Sequence, residues 1–300
     1  MSSEIRKWSD DQQYEAAPIR GLEPSVHLLW MTPDPFGAIA AACRMYEGKP
    51  TYSLSEITDD DRQHYWMQAR STHLTAPLEF VKFHFFIEGI DRAFTHQMVR
   101  QRTAVYAQES MRFAVKENMA AETPRPPAVA ADKHAQEVWD ETIEQIANAY
   151  NHLVNNGIPA EEARGLLPHA ATTRLHYCTD LRALLEHAGN RLCTQAQFHW
   201  RKVFMLIAQA ISNHDPVGDA SEPFWQYQEL ASGFRPVCFL QGRCPFNAVF
   251  DRHCSIKSRV EAFAAEGVPS SQWEQGREGI DPIRPEEWLA DPWAARVFNV

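Results

Sequence analysis

Arginine side chains are concentrated in a short segment that could bind phosphate. Residues 97–113 read QMVRQRTAVYAQESMRF, and their donors are Gln97, Arg100, Arg102, Gln108, Ser110 and Arg112. A guanidinium group stays charged at every relevant pH and presents a planar set of donors that matches phosphate oxygens. This segment could therefore hold one or two phosphate groups. The alternative is a surface loop whose arginines form ordinary salt bridges.

A second basic stretch lies further along the chain. Residues 164–202 contain six Lys and Arg residues, and their only acidic residues are Asp180 and Glu186. The whole chain has a formal net charge of -10, so its overall charge does not favour nonspecific binding to a nucleic acid polymer. A basic pocket within an acidic protein is a reasonable site for a phosphorylated small molecule.

Predicted strands and helices must position these residues, and together they indicate an α+β fold in which helices pack on a mixed sheet. The β-rich run 80–87 (FVKFHFFI) predicts a strand, and residues 172–179 form a second candidate strand. Between them, Asp91 is a suitable N-cap for a helix that reaches about Gln101. Apolar residues spaced three and four apart over residues 139–153 predict another helix.

The longest predicted helix covers residues 181–212 and is central to the fold. At about 100° per residue, Arg182 and Arg191 lie on opposite sides of its apolar stripe. This one helix could therefore offer basic groups to two different pockets. The alternative is that both arginines are solvated on an exposed rim.

Length and composition are those of an ordinary globular protein. The chain has 300 residues, of which 44% are hydrophobic, enough to bury a substantial core. No run approaches the ~20 apolar residues that a membrane-spanning helix needs, and residues 1–15 lack a signal-peptide core. We expect a cytoplasmic protein with no membrane partner.

The six cysteines are too few for a disulfide scaffold in a chain of this length; they are Cys43, Cys178, Cys193, Cys238, Cys244 and Cys254. Free thiols or a metal site fit a cytosolic protein better than disulfides do. Cys238, Cys244, His253 and Cys254 lie close in sequence, but gaps of five and nine residues between the cysteines do not match the usual paired spacing of a zinc site. The spacing favours buried or free thiols over a metal site, so no metal ligand is assigned, and a metal site stays open as the alternative.

Several separated motifs resemble those of the flavin-dependent thymidylate synthases. That family carries R-H-R, seven further residues, a Ser, and an Arg two positions later. This chain has Arg100-Gln101-Arg102, seven further residues, then Ser110 and Arg112.

Other elements follow in the family's order. Residues 164–168 (RGLLP) resemble its R-x-x-L-P element, and residues 180–197 resemble its conserved helix motif. His73, ahead of Pro77 and Glu79, resembles a flavin-site element. The resemblance spans roughly residues 35–215 and implies the fold of the thymidylate synthase-complementing proteins. A break at residues 216–223, with Pro216, Gly218 and Pro223, indicates the end of the main domain, and we divide the chain into a family domain, residues 1–219, and a C-terminal extension of unknown role, residues 220–300.

The resemblance implies a dUMP site and a catalytic arginine. The matching dUMP positions are Gln97, Arg100, Gln108, Ser110, Arg112, Arg164 and Arg191. Arg191 matches the arginine that faces the uracil and favours ionisation at N3, where a guanidinium would stabilise developing negative charge. In this family no cysteine is thought to attack the uracil, and Ser110 has no neighbouring base in sequence to make it a nucleophile.

The resemblance also implies an FAD site, at positions His73, Arg100, Gln101, Arg102, Thr103, Asp180, Arg182 and Glu186. The implied reaction is reductive methylation of dUMP to dTMP by a methyltransferase, with NADPH as reductant and methylenetetrahydrofolate as one-carbon donor. The family's active sites lie between the subunits of a homotetramer.

The match departs from the family at four positions. Gln101 replaces the central His of the signature, Gln108 replaces a Glu, Asp180 an Asn, and Glu186 an Asn or His. Glutamine cannot carry charge or transfer a proton, and Asp180 would face an anionic cofactor. These changes leave two alternatives open: a related dUMP-modifying enzyme such as a hydroxymethylase, and a nucleotide- or flavin-binding protein without catalysis.

Overall fold

The structure is a computed structural model of the chain. It describes residues 14–15, 23–72, 74–214, 225–246, 254 and 256–284. The predicted flavin-site residue His73 lies outside these ranges, as do His253 and the predicted domain boundary near residue 219. The division into a family domain and an extension therefore stays a prediction.

Six strands are numbered in chain order: β1 (Tyr14–Glu15), β2 (Ser25–Met31), β3 (Lys82–Asp91), β4 (Ala104–Gln108), β5 (Ala114–Val115) and β6 (Thr172–Asp180). Within the described ranges, β2, β3, β6 and β4 form a four-stranded sheet in that order. The short strands β1 and β5 pair in parallel, with Tyr14 opposite Ala114 and Glu15 opposite Val115.

The α-helices of the described ranges are α1 (Pro35–Tyr46), α2 (Asp59–Ser71), α3 (Arg92–Met98), α4 (Pro127–Ala130), α5 (Lys133–Asn155), α6 (Ala160–Ala163), α7 (Leu181–Arg191), α8 (Phe198–Ser212), α9 (Trp225–Ala231), α10 (Val237–Gln241) and α11 (Lys257–Ala265). Short 3₁₀ turns at Leu54–Glu56, Ala76–Phe80, Arg164–Leu166 and Ser270–Gln272 complete these ranges. Each of these helices is too short or too polar to span a bilayer. The α+β fold expected from the sequence is confirmed.

Side-chain caps explain where the site-bearing helices begin. Asp91 accepts a hydrogen bond from the Phe94 amide at 2.5 Å and starts α3, as its position in the sequence predicts. Asp180 caps α7 in the same way, with its Oδ1 2.9 Å from the Ala183 amide nitrogen. Both caps directly follow a strand, so each places the first turn of a helix at a strand end.

The prediction of one continuous helix over residues 181–212 is wrong. Helix α7 ends at Arg191, and α8 begins at Phe198 after a non-helical segment. Gln197, the residue before α8, has φ −51° and ψ 140°, which is outside the helical region. A periodic apolar pattern can run through such a break because the pattern reports burial and not backbone continuity.

The described residues divide into two compact units. Unit 1 takes its described residues from Met1–Pro24, Glu88–Arg100 and Ala107–Leu175, and unit 2 takes its own from Ser25–Ile87, Gln101–Tyr106 and His176–Val300. In unit 1 the apolar face of α5 is buried: Tyr150 packs with Val115, Ala160 and Ala163. This arrangement supports the segment that follows the arginine signature.

The core of unit 2 is rich in aromatic side chains. Phe83, Phe85 and Tyr177 are fully buried, as are Trp200 and Phe204 of α8. A further apolar cluster is formed by residues beyond position 225, namely Phe239, Ile256, Val260, Phe263, Trp273 and Ile283. The C-terminal part of the chain therefore contributes a packed core of its own to this unit.

Candidate functional site

Unit 1 contains an open cleft, here called the arginine cleft, with a cavity volume of about 510 Å³. Its polar and charged lining residues are Arg92, Thr95, His96, Gln108, Arg164 and His169. The rest of the lining is apolar or glycine, and no acidic side chain is among it. The start of α3 is fixed against the opposite wall, because the Ala93 amide donates to the His169 carbonyl at 3.1 Å. A rigid, basic cleft without carboxylates suits an anion.

The charge of Arg164 lies close enough in this cleft to affect the pKa of Arg92. Burial lowers the pKa of Arg92, the positive charge of Arg164 lowers it further, and the carboxylate of Glu109 raises it. Among the described residues, the Arg92 side chain makes no hydrogen bond or ion pair, and Arg164 donates only to the Glu161 carbonyl, at 3.0 Å. Two like charges held close together repel each other, and a bound anion would offset this repulsion.

The signature segment reaches this cleft through Gln108, the last residue of β4. Its amide nitrogen donates to the Thr95 hydroxyl at 3.0 Å. Ser110 accepts from the Arg112 amide at 3.3 Å, and the Arg112 side chain forms an ion pair with Glu161 at 3.0 Å. Neither Ser110 nor Arg112 lines the arginine cleft, and Gln97 and Arg100 do not line it either. Of the residues predicted for dUMP in unit 1, the cleft collects Gln108 and Arg164.

A buried ion network holds the signature segment in place. Lys116 is 2% exposed, and its ammonium contacts Glu109 at 2.9 Å and Glu122 at 3.2 Å. Arg174 of β6 pairs with the same Glu109 at 3.0 Å. Breaking one member of such a buried pair leaves an uncompensated charge, so the segment between Gln108 and Lys116 has little freedom to move.

Unit 2 contains a shallow groove, here called the strand-end groove, that collects several residues predicted to bind FAD. Lys82, Arg102, Thr103 and Asp180 line it, together with Cys178 and parts of β4 and β6. The Thr179 hydroxyl donates to the Thr103 carbonyl at 3.1 Å, which joins β6 to the segment before β4. Lys82 was not anticipated from the sequence, and it adds a second cation to this groove.

The carboxylate of Asp180 is already engaged in this groove. One oxygen caps α7, and the other lies 3.3 Å from the Lys82 ammonium. An Asn at this position would cap equally well but would leave the Lys82 charge unbalanced. The departure from the family residue therefore has a local structural reason.

Gln101 is 8% exposed and lies between two tyrosines. Its side-chain oxygen accepts from the hydroxyl groups of Tyr106 and Tyr177, each at 3.3 Å. Burial raises the pKa of both tyrosines, so both hydroxyls keep their protons and need an acceptor. An amide oxygen can accept two hydrogen bonds, which explains a glutamine here.

Arg182 and Glu186, both predicted to contact FAD, contact each other. The Arg182 Nε lies 3.1 Å from Glu186, and its Nη1 lies 2.6 Å from Glu79. All three side chains are substantially exposed, so the ion pairs contribute little stability. The cluster can exchange partners when a ligand arrives.

Arg191, the predicted catalytic residue, is the last residue of α7. Its guanidinium carbon lies 4.3 Å from the centroid of the Trp200 ring, a cation–π distance. Burial lowers the pKa of Arg191, and within the described ranges no carboxylate pairs with its side chain. The pKa of the neighbouring His187 is lowered by burial and by the Arg191 charge. A partly buried cation without a counter-ion is available for a developing negative charge.

Arg92, His96, His169 and Lys82 were missed in the sequence. One signal was available for the first two: Arg92, Thr95, His96 and Val99 follow the i, i+3, i+4, i+7 spacing of one helix face. No comparable signal identifies His169 or Lys82, because their places depend on how distant segments pair.

The chain is an α+β protein in which each of the two units carries a basic candidate site, the arginine cleft in unit 1 and the strand-end groove in unit 2. The sequence profile of the family described as thymidylate synthase complementing protein matches residues 27–217. The chain belongs to this family. Residues beyond 217 lie outside the match.

Relatives of known name agree with this assignment. A flavin-dependent thymidylate synthase of Geobacter sulfurreducens is 33% identical over 193 residues, which cover 64% of this chain and 83% of that protein. Another, of Pyrococcus furiosus, is 30% identical over 222 residues, covering 73% of this chain and 88% of that protein.

A solved structure supports the fold. The flavin-dependent thymidylate synthase ThyX of Helicobacter pylori, in complex with FAD and dUMP, superposes with a TM-score of 0.53. The superposition covers 70% of this chain and 99% of that chain, at 16% sequence identity. At this identity the similarity concerns the fold alone.

Proposed function

We propose that the chain is a flavin-dependent thymidylate synthase that converts dUMP to dTMP by reductive methylation. Methylenetetrahydrofolate is the one-carbon donor, NADPH the reductant and FAD the hydride carrier. Membership of the family supports the reaction. The observation that carries the substrate class is the pair Arg92 and Arg164 in a cleft without acidic lining.

The arginine cleft binds the dUMP phosphate in this proposal. Arg92 and Arg164 supply charge, and Gln108 supplies an amide at the cleft wall. The family-matched Gln97, Arg100, Ser110 and Arg112 lie outside the cleft lining, and the proposal assigns them to dUMP on the family resemblance. A bound phosphate would offset the repulsion between the two guanidinium groups. Because this repulsion is already present in the ligand-free protein, its removal would contribute to the free energy of binding.

Arg191 acts on the uracil ring in this proposal. Developing negative charge at N3 and O4 would be stabilised by a guanidinium that needs no reorganisation. Contact with Trp200 holds this group in position, and no carboxylate of the described residues competes for its charge. A cation held in this way supports the role proposed for Arg191 in the chemical step.

The strand-end groove has a donor set that fits FAD. Lys82 and Arg102 are cations suited to a diphosphate, and the Asp180 carboxylate is engaged with α7 and Lys82. Arg100, Gln101, Thr103, Arg182 and Glu186 are the other residues assigned to this cofactor, with His73. When bound, FAD supplies hydride that originates from NADPH. The protein's part is to bind the cofactor and hold it in position.

A homotetramer in the cytoplasm is part of the proposal, as the family resemblance implies. Light scattering coupled to size-exclusion chromatography tests the assembly: a particle of four chains of 34.3 kDa each is expected. A monomer that turns over dUMP would contradict it.

Product mass tests the function directly. The purified protein is incubated with dUMP, methylenetetrahydrofolate and NADPH, and the nucleotides are analysed by mass spectrometry. We expect dTMP, and none when NADPH or the folate is omitted. A hydroxymethylated nucleotide would reject the methylation reaction in favour of the related enzyme. A flavoprotein that binds dUMP but never oxidises NADPH would reject catalysis altogether.

A further inference from the structure

Four cysteine side chains of unit 2 surround one small cavity. They are Cys193, just after α7, Cys238 in α10, and Cys244 and Cys254. All four are partly buried and free of disulfides. The spacing of the last three in sequence gave no familiar metal motif, and the fourth cysteine comes from a distant part of the chain. Only folding brings this set together.

The cavity that these residues line has a volume of about 20 Å³. A single zinc ion would hold four sulfurs at ~2.3 Å from its centre. No group of three or more His, Cys, Asp or Glu side chains in the described ranges is arranged to hold a single metal ion in this way. A cubane of iron and sulfide binds thiolates at its corners and keeps the four sulfurs farther apart.

Unsatisfied donors line the same cavity. Thr194 is 3% exposed, and its hydroxyl has no hydrogen-bond partner; the side-chain nitrogen of Gln195 also has none. The backbone amide of Gln195 donates to the Cys193 sulfur. Lys257 also lines the cavity. Donors and a cation around the sulfurs are what an anionic iron–sulfur centre requires.

We propose that Cys193, Cys238, Cys244 and Cys254 bind a [4Fe–4S] cluster. Three of these ligands lie beyond residue 217, where the family match ends. The cluster is therefore a property of the C-terminal extension. Its binding does not depend on the proposed reaction.

The position of this centre indicates a structural role. Helix α10 packs directly on α7: a Cβ added at Gly189 would lie 3.5 Å from the Val237 Cβ. Cys238 and Cys254 also pack against the apolar cluster of the extension. Through Cys193, two residues after Arg191, the cluster would tie the extension to the end of α7 and so fix the segment that carries the uracil-activating arginine.

Metal and sulfide analysis of the full-length protein tests the proposal. Protein purified without oxygen, and also reconstituted with ferrous iron and sulfide, is assayed for iron, acid-labile sulfide and zinc. We expect about four iron and four sulfide per chain, with an electron paramagnetic resonance signal after reduction by dithionite. This signal is distinct from flavin absorbance. Protein without iron and sulfide after reconstitution, zinc in their place, or disulfides among the four cysteines would overturn the assignment.

Matched variants locate the centre. Cys193→Ala and Cys238→Ala should each lose most of the iron and sulfide and the resonance signal. Cys43→Ala removes another buried cysteine, in α1, and should retain them. Retention in the first two variants, or equal loss in Cys43→Ala, would contradict the proposal. If the first two do not fold, the wild-type stoichiometry and signal still decide the question.

Discussion

Removing Arg92 should weaken dUMP binding and stabilise the ligand-free protein at the same time. In the Arg92→Met variant, the side chain keeps much of its apolar length but loses a charge that has no ion-pair partner among the described residues. The same variant also relieves repulsion from Arg164, which contributes to the lowered pKa of Arg92. Opposite effects on binding and stability are typical of a charge kept for function.

The expected changes in dUMP affinity and in the free energy of unfolding follow from the interactions that Arg92→Met removes. A hydrogen bond to a charged group contributes about 1.5–3 kcal/mol, so dUMP affinity should fall about 10- to 100-fold at 1.4 kcal/mol per tenfold. Arg164 is exposed, so solvent screens its repulsion of Arg92. We therefore expect the free energy of unfolding to rise by only about 0.5 kcal/mol.

Calorimetric titration at fixed ionic strength measures the binding, and urea denaturation measures the stability. Deoxyuridine, which lacks the phosphate, should bind the variant and the wild type equally. Arg125→Met is the control: Arg125 pairs with Asp140 outside the cleft, and its loss should leave dUMP affinity unchanged. Unaltered dUMP affinity in Arg92→Met, or an equal loss for deoxyuridine, would refute the assignment of Arg92 to the phosphate.

Three further predictions concern unit 2. Arg191→Met should lower turnover by about 10²- to 10³-fold, measured as dTMP formed, while FAD absorbance shows the cofactor still bound. Gln101→Leu removes the acceptor shared by Tyr106 and Tyr177 and should lower the free energy of unfolding by about 2–4 kcal/mol in urea. Asp180→Asn keeps the helix cap but removes negative charge, so stability should change by less than about 1 kcal/mol. In flavin fluorescence titrations, the same variant should bind FAD more tightly.

Each of these predictions has an outcome that contradicts it. Loss of FAD from Arg191→Met would assign that residue a cofactor or folding role. The Tyr106 hydroxyl also lies 3.5 Å from the Gln101 backbone carbonyl, so a stability loss well under about 1 kcal/mol for Gln101→Leu would mean that the two tyrosines do not depend on the side-chain oxygen. Asp180→Ala lacks a cap acceptor and should cost about 1 kcal/mol; an equal cost for Asp180→Asn would reject the cap explanation.

Local sequence signals predicted those parts of the fold that depend on local interactions. The strand before Asp91, its N-cap and the start of α3 were all predicted, because a cap and an alternating apolar run depend on neighbouring residues. The helix that contains Tyr150 was predicted from its apolar spacing. The break after Arg191 was not, because apolar residues continue through it and no Pro or Gly marks it.

The arginine cleft was only partly predictable. Residues of the signature were recognised by their type and spacing. In the structure, however, Arg92 lines the cleft, and Arg112 forms an ion pair with Glu161. Which of several arginines faces a cleft depends on the pairing of segments more than fifty residues apart in sequence. Spacing within one segment does not contain that information.

The departures from the family signature become intelligible once their surroundings are known. From sequence alone, Gln101 and Asp180 left open a related dUMP-modifying enzyme and a binding protein without catalysis. In the structure, Gln101 accepts from two tyrosines that must stay protonated, and Asp180 caps a helix while balancing Lys82. Each substitution thus satisfies a local requirement of unit 2 and leaves the cations of both sites in place. Loss of catalysis is therefore not the expected consequence of either substitution, since the groups proposed to bind phosphate and to activate the uracil are retained.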